Sequence, residues 1–151
     1  MGEAETASGL KKAVYWAFGT ADARELPLLN PGDSASVALG INFLGEIVGE
    51  VELADGSRRG VLWQPDGSGH FGVTDLGIDG ASANNDGTRI VGQSAGRSVV
   101  WDTRSLNMAN SDPVTDGPGR AVAVNNGDLA AGVRGKPLSW PLRAESRRFP
   151  S

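Results

Sequence analysis

The sequence contains no cysteine, which excludes a disulfide framework and any thiolate metal site. It has one histidine, His70, and one tyrosine, Tyr15. No apolar run approaches the roughly 18 residues of a membrane span. The opening MGEAETASGLKK lacks the apolar core of a signal peptide, so the reading favours the cytoplasm over secretion. Positive charge is also scarce: 14 Lys and Arg face 18 Asp and Glu, a net charge of −4. That balance disfavours nucleic acid and anionic membrane as partners, because both select clustered cations. No segment longer than about ten residues carries the helical period. Gly-x-Ser-x-Gly elbows, Walker loops, His-Glu-x-x-His and the dinucleotide fingerprint are all missing, and no complete metal-ligand pattern is present.

Glycine is abundant, at 22 of 151 residues, without a Gly-X-Y period, which implies many turns. Many of these glycines belong to a repeat. SVALGINFLGEIVG (Ser36 to Gly49), ASANNDGTRIVG (Ala81 to Gly92) and AVAVNNGDLAAG (Ala121 to Gly132) share one frame. Asn42, Asn85 and Asn125 stand seven residues before the closing glycine, and Ala38, Ala81 and Ala121 four residues before each asparagine. A second motif lies half a repeat out of phase: AVYW, GVLW, SVVW and PLSW, ending at Trp16, Trp63, Trp101 and Trp140. A period near 40 residues with short strands between turns is a repeat architecture, in which each unit is too small to bury its own apolar face.

The reading divides the chain into a loose leader at 1–10, one repeat domain at 11–142 and a tail at 143–151. Repeats fall at about 36–78, 79–119 and 120–142, the last completed by 11–33. Strands are expected at Lys11 to Ala17, Glu25 to Leu29, Glu46 to Leu53, Arg59 to Gln64, Phe71 to Leu76, Arg89 to Gln93 and Ser98 to Trp101. A weaker strand is expected at 106–109 and a further strand at 137–142, with Asn110 to Gly119 as a long turn. The expected fold is all-β: a small propeller-like ring of about three four-stranded repeats, closed by terminal strands that share one sheet. A β-trefoil or β-prism is the alternative. A homodimer completing a larger ring is one way to accommodate so few units.

The run RGVLWQPDGSGHFGVTDLGIDGASANNDGTRIVGQ resembles the bacterial HAF-repeat family. Val61-Leu62-Trp63 is similar to its third-strand core and Asp75-Leu76-Gly77 to its DLG. Ala38, Ile41-Asn42, Gly45 and Ile47-Val48-Gly49 are similar to the closing part of its pattern. The name-giving His-Ala-Phe is replaced by Arg59-Gly60-Val61, Arg97-Ser98-Val99 and Lys136-Pro137-Leu138. The resemblance implies a propeller-like fold and no particular activity.

Most of the singular residues read as structural. The three asparagines suit turn capping, since Asn tolerates left-handed backbone and caps with its side chain. A tryptophan repeated in one strand position is expected in the core. Glu46, Glu50 and Glu52 share strand parity and, with Asp55, read as a solvated edge face. The leading function is a non-catalytic module that presents a loop face or small central pocket to a protein, glycan or small ligand. The alternative is a cofactor-free cyclase- or isomerase-type enzyme with a shaped pocket, for which Tyr15, His70 and Glu46 are the catalytic candidates. Neither reading calls for a metal or cofactor.

Overall fold

The structure, a computed structural model, describes residues 1–5, 9–103, 112–135 and 144–148. The described residues form thirteen strands and no α-helix, so the chain is all-β. The first sheet holds β1 (Gly2–Glu5), β2 (Lys11–Trp16) and β3 (Ala23–Glu25). The second holds β4 (Ala35–Ile41), β5 (Ile47–Glu52), β6 (Arg58–Pro65) and β7 (Phe71–Asp75) in sequence order. The third contains β8 (Gly80–Asn84), β9 (Arg89–Ser94), β10 (Arg97–Asp102), β11 (Asp112–Val124), β12 (Leu129–Arg134) and β13 (Ala144–Arg148). All pairings are antiparallel between neighbours in sequence, as tight turns dictate. At the β9–β10 turn, Ala95 and Gly96 both take positive φ, 48° and 74°, the geometry that matches the twist of a two-residue hairpin.

β11 serves two units. Its first part pairs with β10 (Val100↔Asp112, Arg97↔Pro118) and its second part with β12 (Gly119↔Arg134, Val124↔Ala130). The long turn expected at Asn110 to Gly119 is therefore largely strand. Pro113 and Pro118 are tolerated there because that part of β11 has one strand partner, and a proline without an N–H fits a one-sided ladder.

Each repeat begins with a leading strand: β4, β8 and the second part of β11. Each leading strand is bulged at the same place, with register shifts between Ala38 and Gly40, Ala81 and Ala83, and Ala121 and Ala123. The bulge drives a carbonyl against the neighbouring strand, and this is what the closing glycines accommodate. A Cβ on Gly49 would lie 2.0 Å from the Val37 carbonyl oxygen, one on Gly92 1.9 Å from that of Gly80, and one on Gly132 2.2 Å from that of Arg120.

Successive units pack face to face through three apolar clusters. Ala13 and Leu26 of the first sheet meet Ala38, Ile47, Val61 and Trp63 of the second. Val48, Leu62 and Leu76 meet Ala81, Ile90 and Trp101. Val91 and Val100 meet Ala121 and Ala130. β5 thus has both faces covered, and Glu50 on it is buried. The solvated acidic face expected for Glu46, Glu50 and Glu52 is not there at Glu50, because the next unit stacks on it.

Two expectations about the ends are corrected. Gly2–Glu5 is a strand paired with β2, not a loose leader. Nor do the terminal strands share a sheet among the described residues: β1 pairs with β2 and β13 with β12. The reason for the first lies in the repeat. GEAE at 2–5 corresponds to GEVE at 49–52, and the ion pair Glu3–Lys11 to Glu50–Arg58. Leu26 donates its N–H to the Ala13 carbonyl as Leu76 does to that of Gly60. The first sheet thus matches the last three strands of a repeat unit, with β1, β2 and β3 in the places of β5, β6 and β7. The strands expected at 106–109 and 137–142, with Trp140, lie outside the described residues.

Candidate functional site

The three repeat asparagines form a ladder across the units. Each side-chain oxygen caps its own turn, accepting from the N–H four residues on: Asn42 from Glu46, Asn85 from Arg89, Asn125 from Leu129. The Nδ2 groups of the first two donate forward to the next unit. Asn42 donates to the Asn85 carbonyl at 3.0 Å and Asn85 to the Asn125 carbonyl at 3.1 Å. A second rung follows one residue on: Phe43 N–H donates to Asp86 Oδ1 at 2.6 Å, and Asp86 N–H to Asn126 Oδ1 at 2.8 Å. The Phe43 amide first, and then the Asn126 Nδ2 that donates to Asp86 Oδ2, hold the Asp86 carboxyl below its ordinary value. The three asparagines thus cap their own turns, and Asn42 and Asn85 also bond to the following unit.

Glu46 belongs to this ladder. Its carboxylate accepts from Asn42 Nδ2 at 2.7 Å and from Gln64 Nε2 at 2.8 Å. It does not line the cleft that holds the other two catalytic candidates.

That cleft, about 800 Å³, opens between the first sheet and the 66–71 loop of the second. Tyr15 reaches into it from β2, and its ring tilts against Phe71 with centroids 4.8 Å apart. Pro27 and Leu28 supply more apolar wall, and Lys12, Arg24 and His70 stand at its margin. Arg24 faces Tyr15 across the β2–β3 pair, and Lys12 lies on the same strand as Tyr15. Neither cation has an ion-pair partner among the described residues. Glu25 is the one carboxylate on the lining.

His70 sits in a turn organised by Asp66. Asp66 Oδ1 accepts from the N–H groups of Ser68 and His70 and from Ser68 Oγ at 2.7 Å, while Ser68 Oγ lies 3.1 Å from His70 Nδ1. The Ser68 hydroxyl holds the Asp66 carboxyl below its ordinary value. This is not a nucleophilic triad, in which the imidazole stands between hydroxyl and carboxylate. Here the hydroxyl stands in the middle and its proton is committed to Asp66, so His70 has no base-orienting carboxylate of its own.

A charge cluster around the buried Glu50 joins three units. Arg120 of β11 donates to Glu50 Oε1 at 2.8 Å and to Ser82 Oγ at 3.1 Å, while Arg58 pairs with Glu50 Oε2 at 3.3 Å. Among the described residues no group of three or more His, Asp or Glu side chains is arranged to hold a metal ion.

Of the four tryptophans, Trp63 and Trp101 are buried in equivalent positions, as expected for core, but Trp16 is 45% exposed. The face that Trp63 and Trp101 present to the preceding unit has, at Trp16, no sheet in front of it among the described residues. Sequence reasoning singled out Tyr15 and His70 but not Lys12, Arg24 or Phe71, since nothing local marks a strand that meets the loop of the next sheet.

The fold and ladder define a protein of stacked antiparallel units with a cleft between the first two sheets. No protein-family model, curated protein or solved structure matches the chain.

Proposed function

We propose that the protein is a non-catalytic binding module whose ligand occupies the cleft between the first sheet and the 66–71 loop. The carrying observation is the lining: an apolar wall of Tyr15, Phe71, Pro27 and Leu28 beside two cations, Lys12 and Arg24, that have no ion-pair partner among the described residues, in a chain of net charge −4. A volume of about 800 Å³ suits a small molecule. Apolar walls gain by excluding water from a hydrophobic body, and a guanidinium favours a carboxylate bidentately. The ligand class is a small molecule with an apolar or aromatic body and one anionic head.

A catalytic reading finds less support. Tyr15 and His70 share the cleft, but Glu46 is held in the ladder and the His70 ring is engaged with Ser68. The resemblance to HAF repeats is carried by Val61-Leu62-Trp63, Asp75-Leu76-Gly77, and Ala38, Ile41-Asn42, Gly45 and Ile47-Val48-Gly49. It supports reading the stack as a divergent propeller-like protein.

Isothermal titration with 4-phenylbutyrate, with 4-phenylbutan-1-ol as the uncharged control, tests the assignment. Saturable binding of the carboxylate is expected, weaker by about tenfold for the alcohol and for Arg24→Gln, and lost in Tyr15→Ala. Absence of binding at millimolar probe, or binding that neither substitution changes, overturns it.

A further inference from the structure

The sequence holds a single Asn-Gly pair, Asn126-Gly127, and the repeat sets it at the β11–β12 turn, whose tip bonds to the unit before it. Phe43-Leu44 and Asp86-Gly87 stand at the equivalent tips of the other two repeats. An asparagine followed by glycine is open to attack on its side-chain amide by the next backbone nitrogen, because glycine has no Cβ to crowd the approach and its backbone turns freely. Of the three tips, only the third carries that chemistry. Asn126 is exposed, so water and hydroxide reach it.

Both reacting groups are held while the ladder is closed. Asn126 Oδ1 accepts the Asp86 N–H at 2.8 Å, and Asn126 Nδ2 donates to Asp86 Oδ2. The Gly127 N–H, whose nitrogen would attack, donates to Asn125 Oδ1 at 3.0 Å. That same oxygen takes the Leu129 N–H at 2.9 Å, so Asn125 fixes the turn around the pair. Rotation of the Asn126 amide onto Gly127 N requires its two bonds to Asp86 to break, and the Gly127 N–H must leave Asn125. The group that holds the two turns together is therefore also the group the reaction would expel: Nδ2 is both the ladder's donor and the leaving nitrogen.

We propose that Asn126 is a self-modification site, converted to aspartate or isoaspartate when the contact between the β8–β9 and β11–β12 turns opens. The Gly127 backbone nitrogen gives its proton to hydroxide and bonds to Asn126 Cγ; the Cγ–Nδ2 bond breaks, and Nδ2 leaves as ammonia with a proton from water. Water then opens the resulting succinimide at one carbonyl to give aspartate or at the other to give isoaspartate. The net change is one water consumed and one ammonia released. The product cannot re-form the contact as it was. Where Nδ2 donated to Asp86 Oδ2, a carboxylate faces a carboxylate, which loses the hydrogen bond and adds like-charge repulsion. The native acid at the second tip is tolerated because its partners donate to it, the Phe43 N–H and Asn126 Nδ2. Conversion is a one-way record of local opening at this seam. It is independent of the Tyr15 cleft.

Peptide mapping by mass spectrometry of the full chain, held at neutral pH, reads conversion site by site. A free peptide with the sequence of Gly119–Leu129, GRAVAVNNGDL, is the reference. Conversion at Asn126 ahead of every other asparagine is expected, slower in the chain than in the peptide by about tenfold or more. Asp86→Ala removes the acceptor of Nδ2 and should recover most of that difference in a chain whose melting curve shows it folded. An Asn126 that stays intact in the chain, or that converts at one rate in peptide, chain and Asp86→Ala, overturns the proposal. The consequence is read from Asn126→Asp, which sets the carboxylate in place directly and does not depend on how Asp86→Ala folds. Its melting temperature should fall below that of the wild type. The double variant Asn126→Asp/Asp86→Asn should recover it, because the amide placed at 86 donates back across the same gap. A single variant that melts with the wild type, or a double variant that recovers nothing, overturns the claim that conversion breaks this contact.

Discussion

Trp63 and Trp101 hold the same repeat position and differ in one bond. Trp63 Nε1 donates to the Pro27 carbonyl at 2.7 Å, tying β6 to the segment that leads from the first sheet. Trp101 Nε1 is buried and finds no acceptor among the described residues. Both rings fill core, so replacing either with alanine should cost about 3–5 kcal/mol. The phenylalanine variants separate packing from hydrogen bonding. Trp63→Phe leaves the Pro27 carbonyl without its donor, while Trp101→Phe removes an N–H that gained nothing. Urea unfolding should show Trp63→Phe less stable than Trp101→Phe by about 1 kcal/mol. Equal losses would mean the Pro27 bond contributes nothing net.

At the level of elements, the repeat glycines set the geometry of each unit. Gly49→Ala would place a methyl carbon 2.0 Å from the Val37 carbonyl, which the paired strands cannot yield without losing the bulge. An overpacked site of this kind costs about 1–3 kcal/mol or more. Gly2→Ala, in the same repeat position, meets only the Trp16 ring at 3.5 Å and should leave the melting temperature unchanged. Thermal melts of the two variants side by side check this; equal destabilisation would mean that Gly2 is as crowded as Gly49. The frame of Ala, Asn and Gly, the strand-rich class and the core positions of Trp63 and Trp101 were legible because each is a local pattern repeated. β1 was not, because GEAE is polar and lies next to a Pro-free, small-residue stretch that reads as a leader. β11 was not, because its two prolines signal a turn unless a one-sided ladder is foreseen. Tyr15 and His70 were legible as singular residues, but their meeting depends on one sheet stacking on the loop of the next. The burial of Glu50 has the same origin: strand parity shows which side a carboxylate takes, not that Arg120 will arrive from two units away.

Across the described residues, the units are tied by apolar clusters, by the Glu50–Arg120 ion pair and by the ladder, and the ladder carries a titratable link at Asp86. Asp86 accepts from the Phe43 N–H of the unit before it and from the Asn126 side chain of the unit after it. Its folded pKa is lowered from the ordinary 3.8, by Phe43 first. A carboxylate with a depressed folded pKa contributes its stability fully above the unfolded value and loses it as pH falls through that value and then through the folded one. The contact between the first two repeats should therefore weaken below about pH 4, with little change between pH 5 and 7. Asp55 and Asp66 shift in the same direction, but through serines within their own turns, so they alter overall stability without acting between units. Asp86→Asn separates the two. Its amide oxygen still accepts the Phe43 N–H, and it cannot titrate. The wild type should melt higher than Asp86→Asn at pH 5, and the gap should close as pH falls toward 2. Hydrogen exchange at the Phe43 amide gives the local reading: protection that falls with acid in the wild type and holds in Asp86→Asn. Protection lost equally in both would assign the acid sensitivity to the turn carboxylates, and the ladder would then be a neutral hydrogen-bonded seam.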